Sequence, residues 1–363
     1  MGKLNEKYLD YRDPLIISEV LSNARKRKAE KINESIKNST NHYSLTNLEN
    51  IVWISFEDQK SVHQINPSYK IIYINDETAK VKYDKDAILL YDEETEFKFT
   101  DDKTSNTIVF FRSGYSSDIL SFFLKEIMNR GFIVLNDPEK VNLSSDKYLT
   151  AQLFFKNNIP HPKSILAIKK DVSVDNQKHF KDKLKNIYKD PDDDSQYVCK
   201  ILSGHGGSGV FLCHGKNILS ILQCIFSINP DTKILIQEKK NIKDGDIRVH
   251  VININGRQEI IDSVMRHHQS DDFRTNQSLG NYASEIELTK EQANLAKEVA
   301  RLSGLIWSGI DIIPLEEGGN VVIEINGSSG STVDINDPDL TKKNAEFFKK
   351  IIDKILELCQ TSI

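Results

Sequence analysis

Two carboxylates and one amide near the ends of apolar runs are suited to hold a metal ion. Asp311 lies inside the run Gly309–Ile313, and Glu324 and Asn326 end a second apolar run. Strand alternation places Glu324 and Asn326 on one face, and an adjacent antiparallel strand could present Asp311 beside them. Such oxygen donors predict a Mg²⁺ site, with Mn²⁺ as a second candidate. The alternative is a pair of strand-end carboxylates bound to arginines.

A glycine-rich loop, Gly204–Gly209, separates two apolar runs and is suited to bind phosphate. It matches G-x-G-x-x-G, but the residues after Gly209 favour a strand, whereas a dinucleotide site needs a helix there. The Walker and protein-kinase motifs are also missing. We therefore expect a hairpin whose amides fold over ATP phosphates, with Lys200 nearby; a glycine-rich surface hairpin is the alternative. The loop residues expected to contact phosphate are Gly206, Gly207, Ser208 and Gly209.

Three arginines, Arg248, Arg266 and Arg274, are candidate catalytic cations. Transfer of a γ-phosphoryl group to a carboxylate gives an acyl phosphate, and attack on that group creates an oxyanion; both need fixed positive charge. The planar fork of arginine can hold two oxygens at once. We expect Arg266 and Arg274 to flank the reacting carboxylate and neighbouring Asp271 and Asp272 to orient them.

The elements that must position these residues follow a mixed order of strands and helices, which predicts an α+β protein. Short apolar runs between Ile51 and Leu135, with one helical segment at Ile119–Asn129, indicate an α/β N-terminal lobe. The stretch Ser144-Ser145-Asp146-Lys147 is expected to contain the N-cap of an amphipathic helix that runs through Asn157, before Pro160 and Pro162. Strands then flank the glycine loop, and a helix precedes the strands that carry the predicted metal ligands.

These elements divide the chain into four predicted parts. We expect residues 1–50 to form a polar, helical extension and residues 51–140 to form the N-terminal α/β domain. Residues 141–240 form a small lobe with the glycine loop, and residues 241–363 form a large lobe with the metal site.

Composition argues against several classes of protein. The 48 basic and 53 acidic residues give a net charge of −5, and no long stretch is dominated by arginine, so we expect no nucleic-acid partner. No signal-peptide core or membrane-length apolar run occurs, so we expect a cytoplasmic protein without a membrane partner. The four cysteines lack C-x-x-C spacing and are expected to be reduced thiols.

A series of short motifs follows one order from about residue 136 to the C-terminus. They are Asp146-Lys147, Ile159-Pro160-His161-Pro162, Val198-Cys199-Lys200, Ile236-Gln237-Glu238, Gly245-Asp246-Ile247-Arg248, Asp272-Phe273-Arg274-Thr275-Asn276, Gly309-Ile310-Asp311 and Glu324-Ile325-Asn326-Gly327-Ser328. In this set of motifs the chain resembles the ATP-grasp superfamily, and within it the RimK-like glutamate ligases that modify the C-terminus of a ribosomal protein.

The resemblance implies a three-lobed ATP-grasp fold that holds ATP between two α+β lobes. It also implies that Asp311, Glu324 and Asn326 bind magnesium. The implied ATP contacts are Lys147 and Lys200 at the phosphates, Glu238 and Lys239 at the adenine hinge, Asp246 near the ribose, and Arg274 and Asn276 at the phosphate end.

Three departures from the family pattern bear on the substrate. The segment Asn326–Gly330 has serine where the family usually has proline, and Asn281-Tyr282 replaces a small glycine-rich segment after Arg274. Residues 1–50 have no counterpart. The last two departures fall where acceptor specificity would be set, so the family's substrate is not carried over.

The sequence therefore predicts a carboxylate–amine ligase that uses Mg-ATP and an acyl-phosphate intermediate. Its expected partners are ATP, a peptide, protein or amino-acid carboxylate, and an amine nucleophile; pairing of chains into a homo-oligomer is left open. One alternative is a graspetide-type macrocyclase that forms side-chain esters or amides in a precursor peptide. The other is a non-catalytic nucleotide-binding module, against which the intact metal and lysine set argues.

Overall fold

The computed structural model describes residues 43–55, 69–112, 118–202, 208–267, 282–330 and 339–360. These ranges contain sixteen strands: β1 (Asn50–Ser55), β2 (Lys70–Asn75), β3 (Lys80–Asp84), β4 (Ala87–Tyr91), β5 (Glu96–Phe99), β6 (Thr107–Phe111), β7 (Ile133–Leu135), β8 (Ser164–Ala167), β9 (Gln196–Ile201), β10 (Val210–His214), β11 (Ile234–Glu238), β12 (Gly245–Ile254), β13 (Arg257–His267), β14 (Tyr282–Glu285), β15 (Trp307–Pro314) and β16 (Asn320–Asn326).

The same ranges contain seven α-helices. They are α1 (Asp118–Asn129), α2 (Pro138–Ser145), α3 (Lys147–Lys156), α4 (Gln177–Leu184), α5 (Ile218–Ile228), α6 (Lys290–Ser303) and α7 (Leu340–Gln360). No helix within the described ranges is both long and apolar enough to cross a membrane.

The N-terminal lobe is built on a parallel sheet in the order β2-β1-β6-β7. Because strand side chains alternate, Trp53 and Phe110 face α7, where Trp53 meets Phe348 edge-on with ring centroids 4.9 Å apart. Val52 and Val109 face the other way and belong to the core that includes α1. The strands of a parallel sheet that is covered on both faces are continuous apolar runs. This pattern is why these strands can be predicted from the sequence.

A small antiparallel sheet in the order β3-β4-β5 lies between β2 and β6 in the chain. The sequence predicts only Ile88–Tyr91 there, which is β4. β3 reads Lys-Val-Lys-Tyr-Asp, and only Val81 among its five residues is even partly buried. The strand is therefore too short and too exposed to give a strong apolar signal.

The small lobe is an antiparallel sheet in the order β10-β9-β11-β8, packed against α4 and α5. The predicted helix at its start is α3, and Asp146 caps it by accepting hydrogen bonds from the backbone N–H groups of Tyr148 and Leu149 at 2.9 and 3.1 Å. The capping pattern that predicts this helix reflects the unpaired N–H groups of its first turn. The preceding helix, α2, is not predicted by the sequence.

The large lobe is an antiparallel sheet in the order β14-β13-β12-β15-β16. Ile247, Val249 and Val251 of β12 point toward α6 and form one core. Strand alternation then turns Asp246 and Arg248 to the opposite face. The amphipathic pattern of β12 therefore separates a buried apolar side from a polar side on which a site can form.

The C-terminal helix α7 packs between the N-terminal sheet and the large lobe, where Phe347 and Phe348 contact the core that contains Trp53 and Trp307. The sequence predicts a helix over Phe347–Cys359, and the observed helix begins earlier, at Leu340. Its added residues are mostly polar, so apolar periodicity does not mark them. The four-part division of the chain stays a prediction.

Candidate active site

A row of polar side chains crosses the large-lobe sheet. Arg248 of β12 stands opposite Asp311 of β15, and Asp311 stands opposite Glu324 of β16. Directly opposed residues of antiparallel strands share a face, and Asn326 lies two residues beyond Glu324. The predicted juxtaposition of Asp311, Glu324 and Asn326 is confirmed, whereas their binding of metal stays a prediction.

Asp311 is bound by two arginines. It is 2 % exposed, and Arg248 donates from Nε to Oδ1 and from Nη2 to Oδ2, the latter at 2.9 Å. Nη2 of Arg266 lies 3.0 Å from Oδ2. Burial acts to raise the pKa of Asp311, but the two arginines outweigh burial and lower the pKa to about 2. The arginine pairing that the sequence leaves as an alternative is therefore present at Asp311, and metal binding by this residue stays a prediction.

Glu324 differs from Asp311, because no basic side chain among the described residues forms an ion pair with it. Nδ2 of Asn326 donates to Asp311 Oδ2 at 3.3 Å and to the Gly309 carbonyl at 3.4 Å. The amide oxygen of Asn326 therefore points away from these two acceptors. Within the described part of the chain, no group of three or more His, Cys, Asp or Glu gathers as a metal site. Two carboxylates and one amide oxygen are hard donors that fit Mg²⁺ and leave coordination positions open.

Arg266 of β13 stands opposite Asp246 of β12, which is 1 % exposed. Its Nε donates to Oδ1 at 2.9 Å, and its Nη2 donates to Oδ2. Burial acts to lower the pKa of Arg266, but Asp311 and Asp246 outweigh burial and raise it above its ordinary value. Arg266 is thus a fixed, permanent cation. A ribose contact by Asp246 stays a prediction.

The supports of the arginines include carboxylates that the sequence analysis does not assign to them. Asp271 and Asp272, which the sequence predicts to orient them, lie outside the described residues, as do Arg274 and Asn276. In the structure Asp246 orients Arg266, and Asp311 binds both Arg248 and Arg266. The sequence analysis allows for arginines beside the strand-end carboxylates but does not identify which arginines pair with which carboxylates, because strand register brings these partners together.

Lys200 of the small lobe and Lys147 at the start of α3 lie near each other beside the carboxylate row. Lys200 of β9 interacts electrostatically with Glu324, Lys147 and Asp311. Burial lowers the pKa of Lys200, the carboxylate of Glu324 opposes this change, and Lys147 adds to it. Lys200 therefore lies within electrostatic range of the carboxylate row, and Lys147 lies within range of Lys200. The binding of ATP phosphates by both lysines stays a prediction.

The glycine loop joins β9 to β10, which pair antiparallel as the sequence predicts. Gly209 has a φ of 72°, and its carbonyl accepts a hydrogen bond from Ile201 N–H at 2.9 Å. This left-handed backbone favours glycine, since other residues pay a steric cost there. Ser208 is exposed, and Gly206 and Gly207 lie outside the described residues. The contact between this loop and phosphate stays a prediction.

Glu238 and Lys239 lie at the end of β11, where the chain leaves the small lobe. The Glu238 carboxylate accepts a hydrogen bond from Lys240 Nζ at 2.8 Å. The backbone N–H of Lys239 donates to the Tyr188 hydroxyl at 3.1 Å, and that hydroxyl donates to the Gln196 carbonyl at 2.7 Å. These bonds fix the segment predicted to read adenine, and adenine binding itself stays a prediction.

Ser329 and Gly309 complete the setting of Arg248, and the sequence predicts neither role. Ser329 is 3 % exposed, and its Oγ accepts a hydrogen bond from Arg248 Nη1 at 2.9 Å. A Cβ at position 309 would lie 2.4 Å from Ser329 Oγ and 3.0 Å from Arg248 Cδ. Glycine is therefore required for Arg248 and Ser329 to meet.

The segment after β16 is also held from the N-terminal lobe. Asn136 Nδ2 donates to the Gly327 and Trp307 carbonyls, each at 2.7 Å. Arg112 Nη1 donates to the Ser329 carbonyl at 2.5 Å. Two side chains from the ends of neighbouring parallel strands thus fix the loop that follows the predicted metal ligands.

Among the described residues in and around the carboxylate row, positive side chains outnumber negative ones. Such a charge distribution can attract a polyanion, and carboxylates within it can hold a metal ion that accompanies the polyanion. Its described members are four cations, Lys147, Lys200, Arg248 and Arg266, and three carboxylates, Asp246, Asp311 and Glu324.

Sequence comparison finds relatives for the part of the chain that carries this face. The family model described as a RimK-like ATP-grasp domain matches residues 144–353. A probable alpha-L-glutamate ligase from Saccharophagus degradans is 30 % identical over 202 residues, which cover 55 % of this chain and 61 % of that protein. The match therefore spans less than two thirds of that relative's length.

Solved structures with a similar fold include two ligases. D-alanyl-alanine synthetase A from Vibrio cholerae has a TM-score of 0.57 at 15 % identity, covering 86 % of this chain and 99 % of its own. The ATP-grasp ligase PsnB, complexed with a phosphomimetic variant of a minimal precursor, Mg and ADP, has a TM-score of 0.56 at 17 % identity, covering 84 % and 100 %. At these identities the likeness establishes the fold alone.

Proposed function

Since its family model matches more than half of the 363 residues, the chain belongs to the RimK-like ATP-grasp family, and we propose that it is an ATP-dependent carboxylate–amine ligase. The predicted α+β ATP-grasp fold is confirmed by the solved structures that share it. The activity is a proposal, because the match covers only part of the curated relative.

In the proposed reaction a carboxylate oxygen of the substrate attacks the γ-phosphorus of ATP. The bond from that phosphorus to the bridging oxygen breaks, ADP leaves, and an acyl phosphate forms. An amine then attacks the acyl carbon, loses a proton, and expels inorganic phosphate that carries one former carboxylate oxygen. This chemistry needs no side-chain nucleophile, because positioning and charge stabilisation lower both barriers.

The observation that carries the proposal is the set of arginines fixed on the carboxylate row. Arg248 is held by Asp311 and Ser329, and Arg266 is held by Asp246 and Asp311. Cations fixed before the reaction stabilise developing negative charge without reorganising. In the proposed reaction both arginines face the acyl phosphate and the oxyanion, while Lys147 and Lys200 hold the phosphates of ATP.

Asp311, Glu324 and Asn326 would hold Mg²⁺ in this site. When bound, Mg²⁺ supplies positive charge to the phosphate oxygens during phosphoryl transfer. Glu324 is the carboxylate best placed to bind Mg²⁺, because it has no ion pair among the described residues. Asp311 would share its oxygens between the metal ion and two arginines. Mg²⁺ is preferred because the PsnB complex contains Mg and ADP; Mn²⁺ has no comparable support.

The proposed substrates are a peptide, protein or amino-acid carboxylate and an amine. The support is that the Saccharophagus relative is a probable alpha-L-glutamate ligase and that PsnB is complexed with a precursor variant. The two solved structures have nearly equal TM-scores, so the fold does not separate a free amino acid from a peptide as substrate. No feature of the described residues favours a macrocyclase over a ligase that joins two molecules.

The test is to incubate the full chain with Mg-ATP and a panel of amino acids and peptides, and to measure product mass, ADP and phosphate together. We expect a product equal to the sum of two panel members less one water, with one ADP and one phosphate per bond formed. Formation of AMP and pyrophosphate would contradict the acyl-phosphate route. Nucleotide binding without ADP formation for any panel member would favour a non-catalytic module.

A further inference from the structure

Asn136 directly follows β7 and is fully buried, and both polar atoms of its side chain are hydrogen-bonded. Its Oδ1 accepts a hydrogen bond from the Trp307 backbone N–H at 3.0 Å. Its Nδ2 donates to the carbonyls of Trp307 and Gly327, each at 2.7 Å. One side chain of the N-terminal lobe thus joins the first residue of β15 to the residue that follows β16.

These bonds take the place of the last rung of the β15–β16 ladder. The pairing of the two strands ends at Gly309 and Asn326. The Ile306 carbonyl accepts a hydrogen bond from β12, so the alternation of an antiparallel ladder turns the N–H and carbonyl of Trp307 toward β16. The Asn136 amide binds both of these groups, because a side-chain amide offers the same donor and acceptor as a backbone peptide. The chain after β16 can therefore leave the ladder, and its first carbonyl is held by the same amide.

The segment held in this way, residues 327–329, supports two parts of the candidate active site. It directly follows Asn326, one of the proposed Mg²⁺ ligands. Two residues further on, Ser329 Oγ accepts a hydrogen bond from Arg248 Nη1 at 2.9 Å. A shift of the Gly327 carbonyl would therefore move a proposed metal ligand on one side and the partner of a candidate catalytic arginine on the other.

Close packing at Gly327 fixes the same segment from a second direction. A Cβ at position 327 would lie 2.7 Å from Ser144 Oγ and 3.2 Å from both Val141 Cα and Leu305 Cδ2. Val141 and Ser144 belong to α2, the helix that begins just after Asn136. Because a close-packed interior leaves no free space there, the segment cannot move toward α2, and the Asn136 bonds select one position for it.

We propose that Asn136 is a positioning residue for the proposed Mg²⁺-ATP site, and that it holds the segment after β16 where Glu324 and Asn326 can bind the metal ion. The inference rests on the proposed function, which supplies Mg²⁺ and ATP. Asn136 acts through Gly327 and Trp307 and contacts no ligand itself. Groups that orient metal ligands in this way typically change metal affinity by roughly tenfold to a hundredfold when they are replaced. The N-terminal lobe thus contributes to nucleotide binding, although none of the predicted ATP contacts lies in it.

The experiment measures the affinity of the full chain for the β,γ-imido analogue of ATP by calorimetry, once with Mg²⁺ and once with EDTA. The ratio of the two affinities reports the contribution of the metal site without any turnover. We expect Asn136→Ser to lower this ratio by about tenfold or more, because the serine hydroxyl is too short to bridge Trp307 and Gly327. The affinity in EDTA should be unchanged.

Asn253→Ser is the matched control. Asn253 also accepts a hydrogen bond through Oδ1 and donates through Nδ2 to two backbone carbonyls, those of Ala300 and Leu305, each at 3.2 Å. Both serine variants should have a lower melting temperature, and only Asn136→Ser should have a lower ratio. Near-ultraviolet circular dichroism reports whether each variant is folded. If Asn136→Ser is not folded, Asn136→Asp carries the test, because it keeps the shape of the side chain and its carboxylate cannot donate to the two carbonyls.

An unchanged ratio in a folded Asn136 variant would overturn the inference and make Asn136 a structural link between the lobes. An equal fall of the ratio in Asn253→Ser would also overturn it, because the loss of any buried amide would then have the same effect. Equal binding of the analogue to the wild-type protein with and without Mg²⁺ would overturn the proposed metal site and this inference together. A lowered ratio in Asn136→Ser beside a failed product assay would contradict the ligase activity and support the positioning role.

Discussion

Arg248 of β12 and Asp311 of β15 lie directly opposite each other, and the guanidinium meets the carboxylate through two parallel hydrogen bonds. A bidentate pair fixes the plane of the arginine as well as its distance. Ser329 adds a further bond to Nη1 at 2.9 Å. Arg248 is therefore held in place before a ligand binds, and the predictions that follow depend on this preorganisation.

Gly309→Ala should displace Arg248. The added Cβ would lie 2.4 Å from Ser329 Oγ and 3.0 Å from Arg248 Cδ, so one of the two side chains must move. We expect slower ADP release and a loss of about 1–3 kcal/mol in the free energy of unfolding, measured in urea. The control is Gly330→Ala, whose added Cβ has no neighbour within 4 Å. Equal behaviour of the two variants would mean that crowding at Gly309 does not set the position of Arg248.

Arg266→Lys should bind ATP much as the wild-type protein does and turn over about a hundredfold more slowly, since lysine keeps the charge but loses the two-bond fork. ATP affinity is measured by calorimetry beside steady-state ADP release with a working acceptor. Arg301→Lys, on the exposed part of α6, serves as the control for a change of arginine to lysine. Loss of ATP binding with an unchanged rate at saturation would make Arg266 a nucleotide anchor instead.

Glu324→Ala should abolish ADP formation and leave the protein folded. Glu324 has no ion pair among the described residues, so its removal strands no arginine, and we expect the free energy of unfolding to change by less than about 1 kcal/mol. Asp311→Ala is the contrasting variant, because it leaves Arg248 and Arg266 without a shared partner and should cost about 3–5 kcal/mol. Near-normal turnover in folded Glu324→Ala would remove Glu324 from the metal site.

The stability of the protein should depend on the ionisation of Asp311. Its pKa is lowered from 3.8 to about 2 in the folded chain, so the ionised group stabilises the fold above about pH 4. This contribution is lost as the pH falls through the window from about 4 to 2. In urea unfolding, the stability difference between wild-type protein and Asp311→Asn should shrink across that window. A constant difference for Asp311→Asn would contradict the assignment.

The metal-ligand positions could be predicted because they follow a local period. Glu324 and Asn326 are two residues apart in an apolar strand, which puts them on one face, and an antiparallel neighbour brings Asp311 alongside. The cap of α3 at Asp146 is likewise encoded within one turn of helix. Elements whose pattern is local were therefore predicted, while β3, with its exposed lysines, was not.

The supports of the arginines could not be predicted, because no local pattern encodes them. Arg112 and Ser329 are 217 positions apart, and their contact exists only after the N-terminal sheet docks on the large lobe. Asp246 contacts Arg266 because the register of β12 and β13 places them opposite each other, and no local sequence pattern encodes that register. In contrast, Asp271 and Asp272 are close to Arg274 in sequence, and this nearness made them the predicted supports.

The central claim is that a substrate carboxylate becomes an acyl phosphate, and transfer of a labelled oxygen tests it most directly. The carboxylate substrate found in the product assay is labelled with heavy oxygen in both positions, and the released phosphate is analysed by mass spectrometry after a single turnover. The proposed mechanism predicts one labelled oxygen in each phosphate, because the carboxylate oxygen that attacks the γ-phosphorus leaves with it. Phosphate without label, formed together with the ligated product, would contradict the acyl-phosphate mechanism.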